Sequence, residues 1–416
     1  MQSSPIPSPR AEARRSRPWL AAAGLAVCLP LAAHELTEDP LPDLPGWRIG
    51  AALAVTAIGA QDPIPSPTLP GVLTTGVREA DLRGLKIEHA TLAGSVRVNE
   101  WFGASASVGW HADGNAHMES VWFEARQATD RARWRLGAGR NKVYMGPVLT
   151  RAGDYDRFSL TPLVKRASLN TDWYDNGAML SWRNDDEDSL LQALDFGLWQ
   201  GQGFPGGGDL PPVPSLHLQL GLGEWQLDGF YAYLQPDGRG SLVQGPNSPG
   251  HIHNVPNCNF SMSGLVCFDG TVNLVGGSFA WAPHDGPVSV SGALLFRDER
   301  GSLYSTLGDA AYHGQTLGGW LDVAWDFRPD WQLALRYEGL SAKQSLTGPA
   351  ALLVGIQAGL YPNWPASRGA MALAWSPAPG WRLSTELGAE RGSGQTNPYV
   401  MLRAVWLMPD LLSGRW

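Results

Sequence analysis

Residues 316–341 read TLGGWLDVAWDFRPDWQLALRYEGLS, and this stretch decides the fold. Apolar and polar residues alternate on both sides of Arg328-Pro329-Asp330, with Leu321 and Val323 on one face and Asp322 on the other. Side chains of a β-strand point alternately to its two faces, so each half has one apolar and one polar side. The stretch predicts an antiparallel hairpin closed by a short turn.

The same pattern recurs along the chain. One strand is predicted at 47–59 and another at 399–408, and seven hairpins lie between them. The hairpins are 87–98 with 101–111, 117–127 with 133–143, 175–184 with 190–200, 214–223 with 225–235, 271–282 with 287–297, 316–327 with 331–341, and 368–376 with 381–391. The even total of about sixteen strands is typical of bacterial membrane barrels. The sequence therefore predicts an all-β fold, a transmembrane antiparallel up-and-down β-barrel.

The predicted connections fall into two length classes. Turns such as 99–100, 283–286, 328–330 and 377–380 are short, whereas the long segments are 60–86, 144–174, 236–270, 298–315 and 342–367. This asymmetry is typical of short periplasmic turns and long extracellular loops. A tryptophan follows five of the short turns, as an interfacial aromatic belt requires: Trp101, Trp134, Trp225, Trp331 and Trp381.

The N-terminus predicts export. Residues 1–33 combine four arginines, an apolar run and the small residues Ala32 and Ala33, which is the pattern of a cleaved signal peptide. We expect residues 34–46 to form a periplasmic segment and 47–408 the barrel. Residues 409–416 are expected to form a C-terminal tail, because Pro409-Asp410 interrupts the alternation. The predicted location is the outer membrane of a Gram-negative bacterium.

The charge balance restricts the partners. The formal charge is −8, and removal of four arginines and one glutamate with the signal peptide makes it −11. Nucleic acid is excluded as a partner, because phosphate binding needs a basic surface. The expected partners are outer-membrane lipid, lipopolysaccharide and small hydrophilic solutes or ions. Monomer and homotrimer are alternatives, and we expect no cofactor.

Two cysteines, Cys258 and Cys267, remain in the mature chain. In an oxidising compartment, this close pair predicts a disulfide. The nearby His251 and His253 offer imidazole ligands, but a disulfide would remove both thiolates from any metal site. We therefore predict no metal at this position.

The polar faces of the strands predict which charges point into the barrel. Either they line a hydrated passage, or they pair with one another and stiffen the wall. The predicted pore-lining residues are Asp228, Arg297, Asp322, Asp326, Arg336, Glu338, Arg382, Glu386, Glu390 and Arg403.

Two phrases in residues 139–182 carry a family resemblance. Gly139-Arg140-Asn141-Lys142-Val143 precedes a long loop, and Asp175-Asn176-Gly177 follows it. Here the chain resembles the phosphate-selective porin O/P family and related sixteen-stranded porins. The resemblance implies that loop 144–174 folds inward and narrows the pore. The chain departs from the family in having no dense basic ladder along its strands.

The resemblance also implies a role for the basic residues of this loop as contacts for passing anions. These pore-constriction candidates are Arg151, Arg157, Lys165 and Arg166. Basic side chains attract anions, and arginine can bind an oxyanion with two hydrogen bonds. The alternative is that they stay on the outer surface and pair with Asp154, Asp156 or lipopolysaccharide.

These observations predict a porin that passively conducts small hydrophilic solutes or ions. A plugged or substrate-specific barrel that acts as a receptor or adhesin is the main alternative. An outer-membrane hydrolase is a further one, but the sequence contains no Gly-x-Ser-x-Gly phrase or glycine-rich phosphate loop. We therefore predict no enzymatic activity and name no catalytic residues.

Overall fold

A computed structural model describes residues 41–112, 114–186, 188–208, 211–243, 255–392 and 394–416. The predicted signal peptide, 1–33, lies outside these residues, as do His251 and His253. Within the described part, no helix has the length and apolar character needed to cross a membrane.

Strands dominate the described residues. They are β1 (Gly46–Ala60), β2 (Gly84–Arg97), β3 (Phe102–His111), β4 (Ala116–Ala128), β5 (Ala132–Lys142), β6 (Tyr174–Asn184), β7 (Leu191–Trp199), β8 (Val213–Leu222), β9 (Trp225–Leu234), β10 (Arg239–Leu242), β11 (Leu265–Trp281), β12 (Val288–Ser305), β13 (Gly308–Arg328), β14 (Trp331–Thr347), β15 (Ala366–Trp375), β16 (Trp381–Gly392) and β17 (Gln395–Arg415). Three short helices interrupt the long loops: α1 (Pro147–Arg151), α2 (Leu163–Leu169) and α3 (Ala351–Gln357).

The strands form one closed antiparallel barrel. Each main strand pairs with the next along the chain, and β1 pairs with both β2 and β17, which closes the ring. Strand β9 pairs directly with β11, while the short β10 pairs with the far end of β11. Leaving β10 aside, the ring contains sixteen strands. The predicted fold class is confirmed.

Several strands are longer than the sequence pattern predicts. Residues 298–315 form no long loop, because β12 and β13 continue in register to the pair Ser305 and Gly308. Strand β17 continues beyond residue 408 and pairs with β1 as far as Arg415. A register shift opposite Pro409 accommodates the missing N–H of that residue. Residues 409–415 therefore belong to the barrel wall.

The outward face of the barrel is apolar. Leu294, Leu317, Leu321 and Leu335 are exposed, while their sequence neighbours are buried. Trp101, Trp134, Trp225 and Trp381 are exposed beside short turns, and Trp331 is half-buried. An apolar band with aromatic residues at its edge is what a lipid environment selects. We call the end of the barrel with the short turns the turn end and the opposite end the loop end.

The interior contains a packed core built by two loops. Residues 61–83 form the first loop, and residues 143–173, with α1 and α2, form the inward loop. All residues of α2 are buried, and this helix packs on β12, β13, β14 and β15. Leu149, Leu163, Val164, Ala167 and Leu169 share one apolar cluster with the inner faces of the wall.

Candidate functional site

The inward loop leaves and re-enters the wall at adjacent points. Val143 donates its backbone N–H to the carbonyl of Trp173 at 2.8 Å. Gly146 has a φ of +92°, which favours glycine, and lies against the side chain of Asp228. Asn170 ends α2 in the left-handed conformation. The chain therefore turns from the wall into the barrel and back within one loop.

Arg368 on β15 is the centre of one anchor for this loop. Its guanidinium donates to Glu338 at 2.8 Å and to Glu390 at 3.0 Å. The same group donates to the carbonyl of Thr161 at 2.6 Å, and Glu338 accepts the N–H of Leu163 at 2.8 Å. These charge-assisted bonds hold the start of α2 against the wall.

A second anchor lies around Arg336 on β14 and Arg403 on β17. Arg336 donates to Asp322 at 2.7 Å and to Asp156 of the inward loop at 2.9 Å. Arg403 donates to the carbonyl of Asp156 at 2.6 Å and pairs with Glu88. Charged side chains of both signs on the wall therefore form ion pairs with one another and hydrogen bonds with the inward loop.

Lys165 and Arg166 lie within the packed interior. Lys165 is fully buried, and its ammonium lies 2.7 Å from Asp172, which also pairs with Lys142 at 3.2 Å. Burial lowers the pKa of Lys165 from its ordinary value, although the Asp172 carboxylate opposes the shift. Arg166 pairs with Glu79 of the first loop at 3.2 Å. Lys165 therefore stabilises the inward loop internally, whereas Arg166 joins it to the first loop.

Arg297 joins the two interior loops. It donates to the carbonyl of Ala167 at 2.8 Å and to the carbonyl of Leu73 at 2.5 Å. Ser66 of the first loop also donates its N–H to Glu390 at 2.8 Å. The first loop and the inward loop thus share the same wall charges.

The predicted pore-lining residues separate into two groups. Asp326 is exposed near a short turn, where it accepts a hydrogen bond from Gln332 at 2.8 Å. The other nine are buried: Asp228, Arg297, Asp322, Arg336, Glu338, Arg382, Glu386, Glu390 and Arg403. Of the constriction candidates, Arg151 and Arg157 are half-buried.

The opposite wall has a different surface. On β3 and β4, Ser107 and Ser120 face each other with hydroxyl oxygens 2.7 Å apart, and both are half-buried. Arg126, Arg135 and Arg183, on neighbouring strands, are also half-buried. Arg183 pairs with Asp195 at 2.8 Å, and Arg126 pairs with Glu124. This polar, partly open surface was not among the predicted site residues.

A buried histidine lies between two acids on the same side of the barrel. His217 places Nδ1 2.8 Å from Asp195 and Nε2 3.1 Å from Asp228. Since both ring nitrogens are engaged by carboxylates, this imidazole is not arranged to take a proton from a hydroxyl. The predicted disulfide is confirmed: the sulfur atoms of Cys258 and Cys267 are bonded at 2.04 Å.

The fold and interior define a porin-like transmembrane β-barrel. No family model matches the chain, and no curated protein sequence matches it significantly. A loop L8 deletion mutant of OmpT, an outer membrane protein of Vibrio cholerae, superposes with a TM-score of 0.54 at 12% identity, covering 88% of this chain and 100% of that one.

Two further solved structures share the barrel. An anion-selective porin from Comamonas acidovorans gives a TM-score of 0.50 at 11% identity and covers 88% of this chain and 99% of its own. Salmonella typhi OmpF, in complex with daunomycin, gives 0.51 at 9% identity, with 88% and 98% covered. At these identities the likeness shows the fold, that of Gram-negative outer-membrane barrels.

Proposed function

We propose that this protein is an outer-membrane porin, exported by a cleaved signal peptide, that passes small hydrophilic solutes or ions by passive diffusion. The path runs between the inward loop and the wall formed by β3–β7. Movement follows the concentration gradient and needs no cofactor.

The asymmetry of the interior carries this proposal. Strands β12–β15 are covered by α2, and their charges are buried in contacts such as Arg368 with Glu338. Strands β3–β6 instead keep half-exposed polar side chains, including Ser107 and Arg135, on their inner faces. Half-exposed polar groups inside a barrel favour a hydrated passage over a continuous core.

The charges along this path favour anions. Arg135 on the wall and Arg151 and Arg157 on the inward loop are half-buried, whereas Arg126 and Arg183 are each paired with a carboxylate. A basic constriction attracts anions and repels cations. We therefore propose a moderate anion preference. The two sequence motifs within residues 139–182 support a relation to phosphate-selective porins that concerns the inward loop. We do not propose specificity for phosphate.

We propose transport without catalysis. The compared structures include an anion-selective porin, and His217, held between two carboxylates, is not placed to act as a general base. Assays with ester and peptide substrates on the folded protein test this point. Turnover that follows the folded barrel through purification would contradict it.

The decisive experiment is single-channel recording of the mature protein, residues 34–416, refolded and inserted into planar bilayers. Steady ohmic steps and an anion-selective reversal potential under a salt gradient are expected. A correctly folded, heat-modifiable barrel that stays silent would overturn the proposal. It would favour a plugged receptor, in which the bridge from Arg297 to both interior loops closes the lumen.

The proposal extends to a homotrimer. One of the compared structures is a trimer form of Vibrio cholerae OmpT, with a TM-score of 0.51. A trimer contact needs a flat outer face, and the outward positions Ala90, Gly94, Ala104 and Ala106 on β2 and β3 are small. Light scattering in detergent tests the mass. Ala106→Trp is expected to convert a trimer to monomers, whereas a monomeric wild type would contradict this extension.

A further inference from the structure

A cluster of metal-ligand side chains lies at the loop end of β2, β3 and β4. It consists of His89, His111 and Glu119, one from each strand. One ligand atom from each residue lies within 4.8 Å of the other two. His89 is 2% exposed and Glu119 is 7% exposed, so the cluster is largely withdrawn from water. None of these three side chains belongs to the loop anchors described above or is among the residues assigned to the channel path.

The separations between the ligand atoms fit a small divalent ion. Glu119 Oε1 lies 3.2 Å from His89 Nε2 and 3.6 Å from His111 Nε2. Zinc bonds of roughly 2.0–2.1 Å in a tetrahedral arrangement place neighbouring ligand atoms about 3.3 Å apart. Two of the three separations therefore match ligands around one zinc centre, and the third lies within the 4.8 Å spread of the cluster.

His89 supplies a second, independent observation. Within the described part of the chain, neither of its buried ring nitrogens has a hydrogen-bond partner of acceptable geometry, although each lies close to a carboxylate. The imidazole is therefore in ion-pair contact with two carboxylates, but neither nitrogen makes a well-aligned hydrogen bond. A metal bound at Nε2 would satisfy that atom, and the ring would then direct Nδ1 to its other neighbour.

That neighbour is Asp154 of the inward loop, whose Oδ1 lies 3.2 Å from His89 Nδ1. Metal-binding histidines usually donate the second ring N–H to a carboxylate, which fixes the orientation of the ring. On the other side of the cluster, His117 Nε2 lies at hydrogen-bond distance, 3.2 Å, from His111 Nε2.

Two backbone irregularities create the cluster. The register between β1 and β2 shifts beside His89, and the register between β3 and β4 shifts at Glu119. Bulges of this kind re-aim side chains and are frequent at functional sites. Gly109 completes the arrangement, since a Cβ there would collide with the Glu119 carboxylate.

We propose that His89, His111 and Glu119 bind one divalent transition-metal ion of the zinc class, with Asp154 as the carboxylate that orients His89. Two imidazoles and one carboxylate suit Zn²⁺ and its neighbours far better than Ca²⁺ or Mg²⁺. The bound ion would join three wall strands and, through Asp154, the inward loop.

The test uses the untagged, folded, full mature chain after chelation and dialysis. Zn²⁺ alone is titrated by calorimetry, and we expect one ion per chain. His111→Asn and Glu119→Gln should each weaken binding by tenfold or more, because each removes a ligand. The matched control is His313→Asn, which alters a histidine that lies 2.9 Å from a single carboxylate, Asp298, outside the cluster. The control should bind Zn²⁺ like the wild type.

A spectroscopic measurement on the wild type avoids dependence on variant folding. Co²⁺ added to the apo protein should give the intense visible bands of a four-coordinate site, and Zn²⁺ should displace them. Weak six-coordinate bands, a stoichiometry well below one, or equal affinity in wild type and both ligand variants would each overturn the proposal. In that case His89 would serve as an ion-pair partner of Glu119 and Asp154.

Discussion

Arg403 on β17 reaches across β1 to pair with Glu88 on β2, with its Nη2 atom 2.6 Å from Oε1. Strand β1 lies between them, and its Thr56, the register partner of Arg403, is fully buried beneath the pair. The seam that closes the barrel is therefore crossed by a buried ion pair. Ser159 of the inward loop also donates to Glu88 at 2.8 Å, so the seam and the loop share one contact.

Arg403→Ala is expected to lower the free energy of unfolding by about 3–5 kcal/mol, because it leaves the Glu88 carboxylate buried without its cation. Urea titration in lipid vesicles, followed by tryptophan fluorescence, measures the change. Glu88→Gln/Arg403→Met should recover much of the loss, since neither charge then remains. Equal stability of wild type and Arg403→Ala would show that the pair contributes nothing to closure.

Arg368→Ala is expected to loosen the inward loop, because the guanidinium holds two carboxylates and the carbonyl of Thr161. Loss of one partner from a buried network again costs about 3–5 kcal/mol. We expect faster hydrogen exchange in residues 158–166 and a larger single-channel conductance. Arg391→Ala, which removes an exposed arginine from the next strand, is the control. Unchanged exchange in Arg368→Ala would contradict the anchoring role.

The strand pattern was predictable because it rests on a local rule. In residues 316–341 the alternation alone separates Leu321 from Asp322, and the structure buries the second and exposes the first. The count of strands follows from repeating that rule. The extension of β17 through Pro409 was not predictable, since the interruption is absorbed by a register shift that involves the partner strand β1.

The interior site was less predictable for a physical reason. The alternation of side chains along a strand assigns two adjacent residues to opposite faces. Glu88 and His89 are nevertheless both buried, because a register shift lies beside them. Glu119 lies at a second shift. The alternation pattern also cannot show whether a charged side chain in the lumen contacts water or a loop carbonyl. Lys165 is buried through tertiary contacts that involve Asp172 and Ala152, which no local pattern contains.

The disulfide between Cys258 and Cys267 should locally stabilise the loop that joins β10 to β11. It spans nine residues, and closing a loop of that size contributes roughly 3 kcal/mol by the chain-entropy model. In Cys258→Ser/Cys267→Ala, the amides of Gly240 and Cys258, which donate to Pro256 and Gly238, should lose exchange protection. The wall strands should keep theirs. Identical protection at these two amides would show that the loop is held by other contacts.

Arg151 and Arg157 offer the sharpest test of the channel path, because they are half-buried on the inward loop. Arg151→Ala/Arg157→Ala should shift the reversal potential towards cations, since two positive charges leave the narrowed passage. The matched control, Arg300→Ala/Arg391→Ala, removes two arginines that lie outside the lumen and should leave selectivity unchanged.

Lys165→Ala gives the complementary outcome for a cation that is buried. Its ammonium is occupied by Asp172 and by the carbonyl of Ala152. The substitution should therefore lower stability, by about 3–5 kcal/mol for a buried pair, more than it alters selectivity. The packing of α2 against β12–β15 forms an apolar interface at that position. A shift of the reversal potential in Lys165→Ala as large as in the Arg151/Arg157 double variant would therefore contradict a path along β3–β7 and place the path beside α2.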